Sequence, residues 1–212
     1  MKKYTLIIVI LFLAAAASAE TRWDIARLGY GVKAGAGTSD VQHHDLETNH
    51  KTAYCIGGFV NYEQSRFLTL QMEALFAVKG YKLPSVDVLD ENDEVVGQTG
   101  VEITITYAEL PVMAKLTAPL GGKFRPFLIG GAFMALAVGS RQRISSGLLA
   151  VDWAVENVEK VDLGAIGGLG IDIKAGSGWF TIEARYDYSL LAAVKGEDQK
   201  SRALFFMFGY QW

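Results

Sequence analysis

Three groups of residues in this sequence have the side chains for chemistry. The first is a set of charges set into otherwise apolar stretches: Lys33, Glu73, Glu109, Lys115, Glu183 and Arg185. Brought together away from water, such groups form a polar path, a proton or ligand site, or a lattice of ion pairs that fills an interior. The second is a histidine-rich stretch. His43, His44 and His50 are the only histidines, with Asp45 and Glu47 beside them. Imidazole and carboxylate together are a donor set for zinc, copper or nickel, but this spacing matches no defined site. The third is the nucleophiles. Cys55 is the lone cysteine, and Ser39 is the serine nearest the histidines. A hydrolase needs its nucleophile within reach of an oriented base, and the strained G-x-S-x-G elbow is absent. The sequence therefore assigns no catalytic residue, no cofactor-binding residue and no metal ligand. Cys55 is expected to be a structural thiol facing inward. The spaced glycines from Gly164 to Asp172 lie in a strand pattern with no helix after them, so they are not a nucleotide loop.

The elements that position these residues begin after an export signal. Lys2 and Lys3 precede an apolar run from Thr5 to Ala16, and Ala17-Ser18-Ala19 is a small-residue cleavage site. Residues 1–19 are expected to be a signal peptide and residues 20–212 the mature domain of 193 residues (212 minus 19). Without Lys2 and Lys3 the chain has 18 basic and 23 acidic residues, a balance of −5. No basic stripe exists to neutralise phosphates, so a nucleic-acid partner is not expected. A single cysteine excludes an internal disulfide.

Half of the residues are hydrophobic, yet the longest mature run poor in polar residues, Phe127 to Gly139, has only 13. A spanning helix needs about 20. Closed barrels are the other structure that satisfies its own backbone in lipid. Eight segments alternate with a period of two, near 27–38, 52–62, 66–81, 101–117, 123–139, 161–175, 178–189 and 202–212. In the seventh, Phe180, Ile182, Ala184, Tyr186 and Tyr188 oppose Thr181, Glu183, Arg185 and Asp187. An Arg or Lys facing lipid at mid-depth costs about 2–4 kcal/mol, so the charged parity must face inward. The same rule sends Leu204, Phe206, Phe208, Tyr210 and Trp212 outward, with Leu68, Leu70, Met72 and Phe76, and turns Lys33, Glu73 and Asp172 inward. The fourth segment breaks parity. Leu110, Val112, Ala114 and Leu116 alternate on even numbers, whereas Val101, Ile103 and Ile105 are odd. Either a bulge near Tyr107 shifts the register, or the upper part stands above the membrane.

Connections after segments two, four and six are short: 63–65, 119–122 and 176–177. The others, 39–51, 82–100, 140–160 and 190–201, are longer and polar. The expected fold is all-β: a closed antiparallel eight-stranded transmembrane β-barrel with short periplasmic turns and longer extracellular loops. Leu148, Leu149, Val151, Trp153 and Val155 make the third long loop amphipathic, either a short helix or an extended hairpin. An eight-stranded barrel is filled by its own side chains, so the inward charges are expected to form an internal ion-pair network rather than an open pore.

The strings YAELPVMAKL, KFRPFLIGGAFMAL, VDLGAIGGLGIDI and FTIEARYDYSL resemble the PorT-like outer-membrane β-barrel family. LGYGVKAGAGTS and FLTLQMEALFAVKGYKL are similar to that family's first and third strands. The resemblance spans nearly all of the mature chain. It implies an eight-stranded barrel of Gram-negative bacteria, in a family whose namesake takes part in protein secretion; most members have no assigned activity.

The expected function is a non-enzymatic outer-membrane barrel with a structural or accessory role at the envelope, linked to secretion or surface assembly. The expected partners are outer-membrane lipid and lipopolysaccharide, the outer-membrane assembly machinery that reads the closing aromatic strand, and envelope proteins. Two alternatives are an outer-leaflet lipid-modifying enzyme and a narrow transport or ligand-binding barrel. A soluble lipocalin-like barrel would need the opposite arrangement, apolar inside and polar outside.

Overall fold

A computed structural model of the chain describes residues 27–42, 49–84, 86–89, 95–118, 122–146, 149–153, 160–192 and 200–212. The expected signal peptide, His43, His44, Asp45, Glu47, Leu148 and Val155 lie outside them.

Alternation drives every segment into a strand. The elements are β1 (Leu28–Gln42), β2 (Lys51–Glu63), β3 (Leu68–Lys82), β4 (Val86–Leu89), β5 (Val95–Thr117), β6 (Phe124–Ser146), β7 (Leu149–Trp153), β8 (Val161–Ala175), β9 (Gly178–Ala192) and β10 (Lys200–Gln211). Eight of them, all except β4 and β7, pair antiparallel in one ring. β10 joins β1, with Phe206 opposite Ala36, and β5 joins β6 along their length. The sheet thus has no free edge within the barrel wall. Its outer surface is the aromatic and aliphatic stripe expected from the sequence. Tyr30, Ile56, Met72, Phe76, Leu128, Leu169, Phe206 and Phe208 are all exposed on it. Lys33, Glu73, Glu109, Glu183, Arg185 and Asp187 are buried inside.

Turns at the periplasmic end are tight. Ala175 pairs with Gly178 across Gly176-Ser177, and Gly176 takes φ 63°, a left-handed conformation that costs glycine nothing. Between β2 and β3 the Ser65 hydroxyl accepts from the amides of Phe67 (3.3 Å) and Leu68 (3.1 Å), so β3 starts at Leu68 rather than at residue 66.

At the other end β5 and β6 outgrow the wall. β4 pairs with the upper part of β5, and β7 with the upper part of β6. Together they make a four-stranded sheet that stands above the barrel, so the third long loop is a hairpin through its described residues and not a helix.

The parity break in β5 has a different origin from a bulge in that strand. Its odd positions face inward without interruption from Val101 through Ile105, Tyr107 and Glu109 to Lys115. The register shift is in β6. Thr106 pairs with Gly139 and Tyr107 with Ala137, which leaves Val138 as the extra residue. Below Val138 the inward residues of β6 are Phe127, Ile129, Phe133 and Ala135. Above it the parity inverts. Gln142 and Ile144 lie opposite inward Ile103 and Val101, while Arg141 and Arg143 lie opposite outward Thr104 and Glu102. The polarity of the sheet inverts there too. The outward face becomes charged, and the mouth-facing side carries Val101, Ile103, Ile144, Val151 and Trp153. This change of polarity locates the upper limit of the lipid-facing band.

Candidate functional site: the charged barrel interior

Strand alternation delivers the interior residues, and three glycines shape it. Phe59, Phe133 and Phe127 each stand opposite a cross-strand glycine: Gly31, Gly164 and Gly170. In each pair the ring occupies the space that a Cβ on the glycine would need. The ring folds flat against the wall and turns one face to the lumen. A lysine ammonium sits over each face: Lys33 over Phe59 at 5.3 Å, Lys79 over Phe133 at 4.9 Å and Lys115 over Phe127 at 3.9 Å.

These lysines anchor a column of ion pairs along the barrel. Toward the periplasm Lys115 meets Asp172 at 2.7 Å, and Asp172 also accepts from the Thr181 hydroxyl at 2.7 Å. At mid-height Lys33 bridges Glu73 (2.5 Å) and Glu183 (3.0 Å). Arg185, with no exposure, lies between Glu73 (2.8 Å) and Asp187 (3.0 Å). Lys79 then joins Asp187 (3.2 Å) to Glu109 (2.7 Å). Asp162, higher up, accepts from the Ser189 hydroxyl at 2.6 Å. Outside this column, near the extracellular rim, Lys51 pairs with Glu102 at 2.7 Å and donates to the Thr104 hydroxyl, and Arg202 pairs with Asp40 at 2.8 Å. Within the column the low dielectric strengthens each contact, and the desolvation cost makes loss of any one partner expensive.

Apolar side chains close the space around this column. Ile105, Tyr107, Met113, Phe127, Ile129, Phe133 and Ile166 form one cluster. Ala53, Cys55, Leu75, Ala77, Phe205 and Met207 form another. A cavity of about 20 Å³ lies at the periplasmic mouth between Asn61, Lys115, Asp172 and Trp179, enough for a single water.

All six inward charges named from the sequence therefore lie in this interior, in one connected arrangement except for the Lys115–Asp172 pair below it. Lys79 was missed, although its odd position in β3 matches Glu73 and gives the signal. Cys55 faces inward, as expected, in the apolar cluster with Ala53, Leu75, Ala77, Phe205 and Met207. Ser39 does not resemble a nucleophile: its hydroxyl donates to the Gly80 carbonyl (2.7 Å) and accepts from the Gly80 amide (2.8 Å). Of the histidines only His50 is described. It is exposed, with Nδ1 3.8 Å from Asp40 Oδ2. Among the described residues no group of three or more His, Cys, Asp or Glu side chains is arranged to hold a metal.

Residues 16–193 match the family described as outer membrane protein beta-barrel domain. No curated protein sequence matches the chain. Among solved structures, the chain is similar to Ail, the attachment invasion locus protein of Yersinia pestis. Identity is 14%, with 87% of this chain and 98% of that one covered, at a TM-score of 0.43. It is also similar to Neisserial surface protein A, with 12% identity, 86% and 95% coverage and a TM-score of 0.44. A third is the outer membrane protein OprG from Pseudomonas aeruginosa, with 12% identity, 87% and 95% coverage and a TM-score of 0.41.

Proposed function

This chain belongs to the outer membrane protein beta-barrel domain family, and on that premise we propose that it is a non-enzymatic accessory barrel whose working surface is the extracellular sheet. The observation that carries the proposal is the division of labour along β5 and β6. Within the membrane these strands enclose an interior filled by ion pairs, and above it they continue into hairpins with β4 and β7. Buried charges locked to one another are a scaffold and not a route for solute. Val151 and Trp153, both exposed on β7, give the sheet an apolar surface suited to a protein partner. In this reading the chain is PorT-like in its role as well as its strings, serving secretion or surface assembly beside other envelope proteins. Lipid and lipopolysaccharide surround the wall, and the assembly machinery engages β10.

The test is crosslinking and pull-down from native outer membranes, comparing the intact chain with variants whose β4–β5 or β6–β7 hairpin is replaced by a short turn. Loss of envelope-protein crosslinks with retention of a heat-modifiable barrel supports the proposal. Steady single-channel conductance of the purified chain in planar bilayers, or lipid hydrolysis by it, overturns it.

A further inference from the structure

We propose that Arg141 and Arg143 form a contact for the phosphate of a lipid A–type headgroup in the outer leaflet. The proposal rests on the outer-membrane placement and is independent of the partner-surface reading above.

The Val138 bulge is the structural cause. Without the extra residue, the odd positions of β6 would stay inward, and both arginines would enter the apolar mouth. With it, they share the outward face with Thr104 and Glu102. Their height fits the headgroups. Leu136 and Val138 are the last outward apolar residues of β6, and both are exposed to lipid. Arg141 is three residues further on. With a rise of about 3.3 Å per residue and a typical barrel tilt, its Cα is about 7 Å above Val138. That is the zone where phosphates begin.

The neighbouring carboxylates give Arg141 no direct ion-pair partner among the described residues, although it acts on Asp152 at longer range. The carboxylates at this level are Glu102 and Asp152. Glu102 is held by Lys51 at 2.7 Å with Lys82 at 3.8 Å, and Asp152 by Arg143 at 2.9 Å. Arg141 makes no ion pair among the described residues and is exposed. The Arg143–Asp152 pair is open to solvent, and an exposed pair of this kind contributes little and exchanges partners readily. Two adjacent guanidinium groups on one sheet face match phosphate oxygens through forked donors.

The test uses the full barrel in phosphatidylcholine nanodiscs doped with diphosphoryl lipid A or its dephosphorylated form, with bound lipid counted by native mass spectrometry. The intact chain should retain the phosphorylated lipid by about tenfold over the dephosphorylated one. R141Q/R143Q should abolish this preference, and R141K/R143K should keep part of it. Both arginines are exposed, so heat-modifiable migration should be unchanged and will verify folding. Equal retention of the two lipids by the intact chain overturns the proposal. So does an undiminished preference in R141Q/R143Q, or displacement of the lipid by an equal concentration of inorganic phosphate.

Discussion

The ammonium of Lys115 sits 3.9 Å above the ring centre of Phe127, and the same ring lies across Gly170 on the neighbouring strand. The arrangement recurs at Gly31–Phe59–Lys33 and Gly164–Phe133–Lys79. A missing Cβ lets a ring lie flat, and a flat ring offers a face to a cation. The barrel thus buries three lysines with aromatic as well as carboxylate partners.

Gly170→Val should therefore displace Phe127 and weaken the barrel by about 1–3 kcal/mol, the usual cost of overpacking. Urea unfolding in lipid vesicles, followed by the gel shift, measures this. An unchanged midpoint would mean that the ring does not need the glycine. Val at outward Gly167, where a Cβ meets nothing within 4 Å, is the control and should be near neutral.

Arg185→Met should cost about 3–5 kcal/mol, because it leaves Glu73 and Asp187 facing each other with one fewer buried cation. Adding Glu73→Gln should recover part of the loss by removing one stranded charge. If the double variant unfolds at a lower urea concentration than Arg185→Met alone, the two residues are not coupled as described.

Glu102 gives a pH dependence outside the membrane. The hydrogen bond from Lys51 holds its carboxyl below the ordinary value of 4.5 against a smaller opposing effect of burial. A depressed carboxylate contributes stability that is fully present above its unfolded pKa and is lost as pH falls through the folded one. Its carboxyl carbon should titrate below 4.5 by NMR, and Lys51→Met should move the midpoint upward. A midpoint indifferent to Lys51 would remove the pair from the account.

Deleting Trp212 should impair assembly. Its ring stacks on Tyr30 at 5.6 Å and meets Tyr210 edge-on at 5.5 Å, completing the aromatic rim at the periplasmic end. The fraction of heat-modifiable chain in outer membranes reports this; a normal fraction would show that the terminal ring is dispensable.

The wall of the barrel was legible in the sequence because lipid imposes one rule on it: Arg185 and Glu183 can face only inward once Phe180 and Ile182 face out. The upper register was not, for a physical reason. In β5 the apolar positions change parity between Ile105 and Leu110, which resembles a bulge, yet the strand is regular and its surroundings change. In β6 the real bulge at Val138 is masked because both parities are apolar below it, with Phe127, Ile129 and Phe133 on odd numbers and Leu128, Met134 and Leu136 on even ones, so no alternation marks the shift. The glycine-backed rings were illegible because cross-strand neighbours depend on register, which alternation alone does not supply.

The seam between β1 and β10 has a consequence for timing. The Trp212 amide donates to the Tyr30 carbonyl at 2.9 Å, so the earliest and latest strands to be synthesised are direct neighbours. Until β10 arrives, the curled sheet has two open edges and half-covered buried charges, a species that lipid will not accept. Closure of the wall must therefore wait until its last twelve-residue strand is at hand.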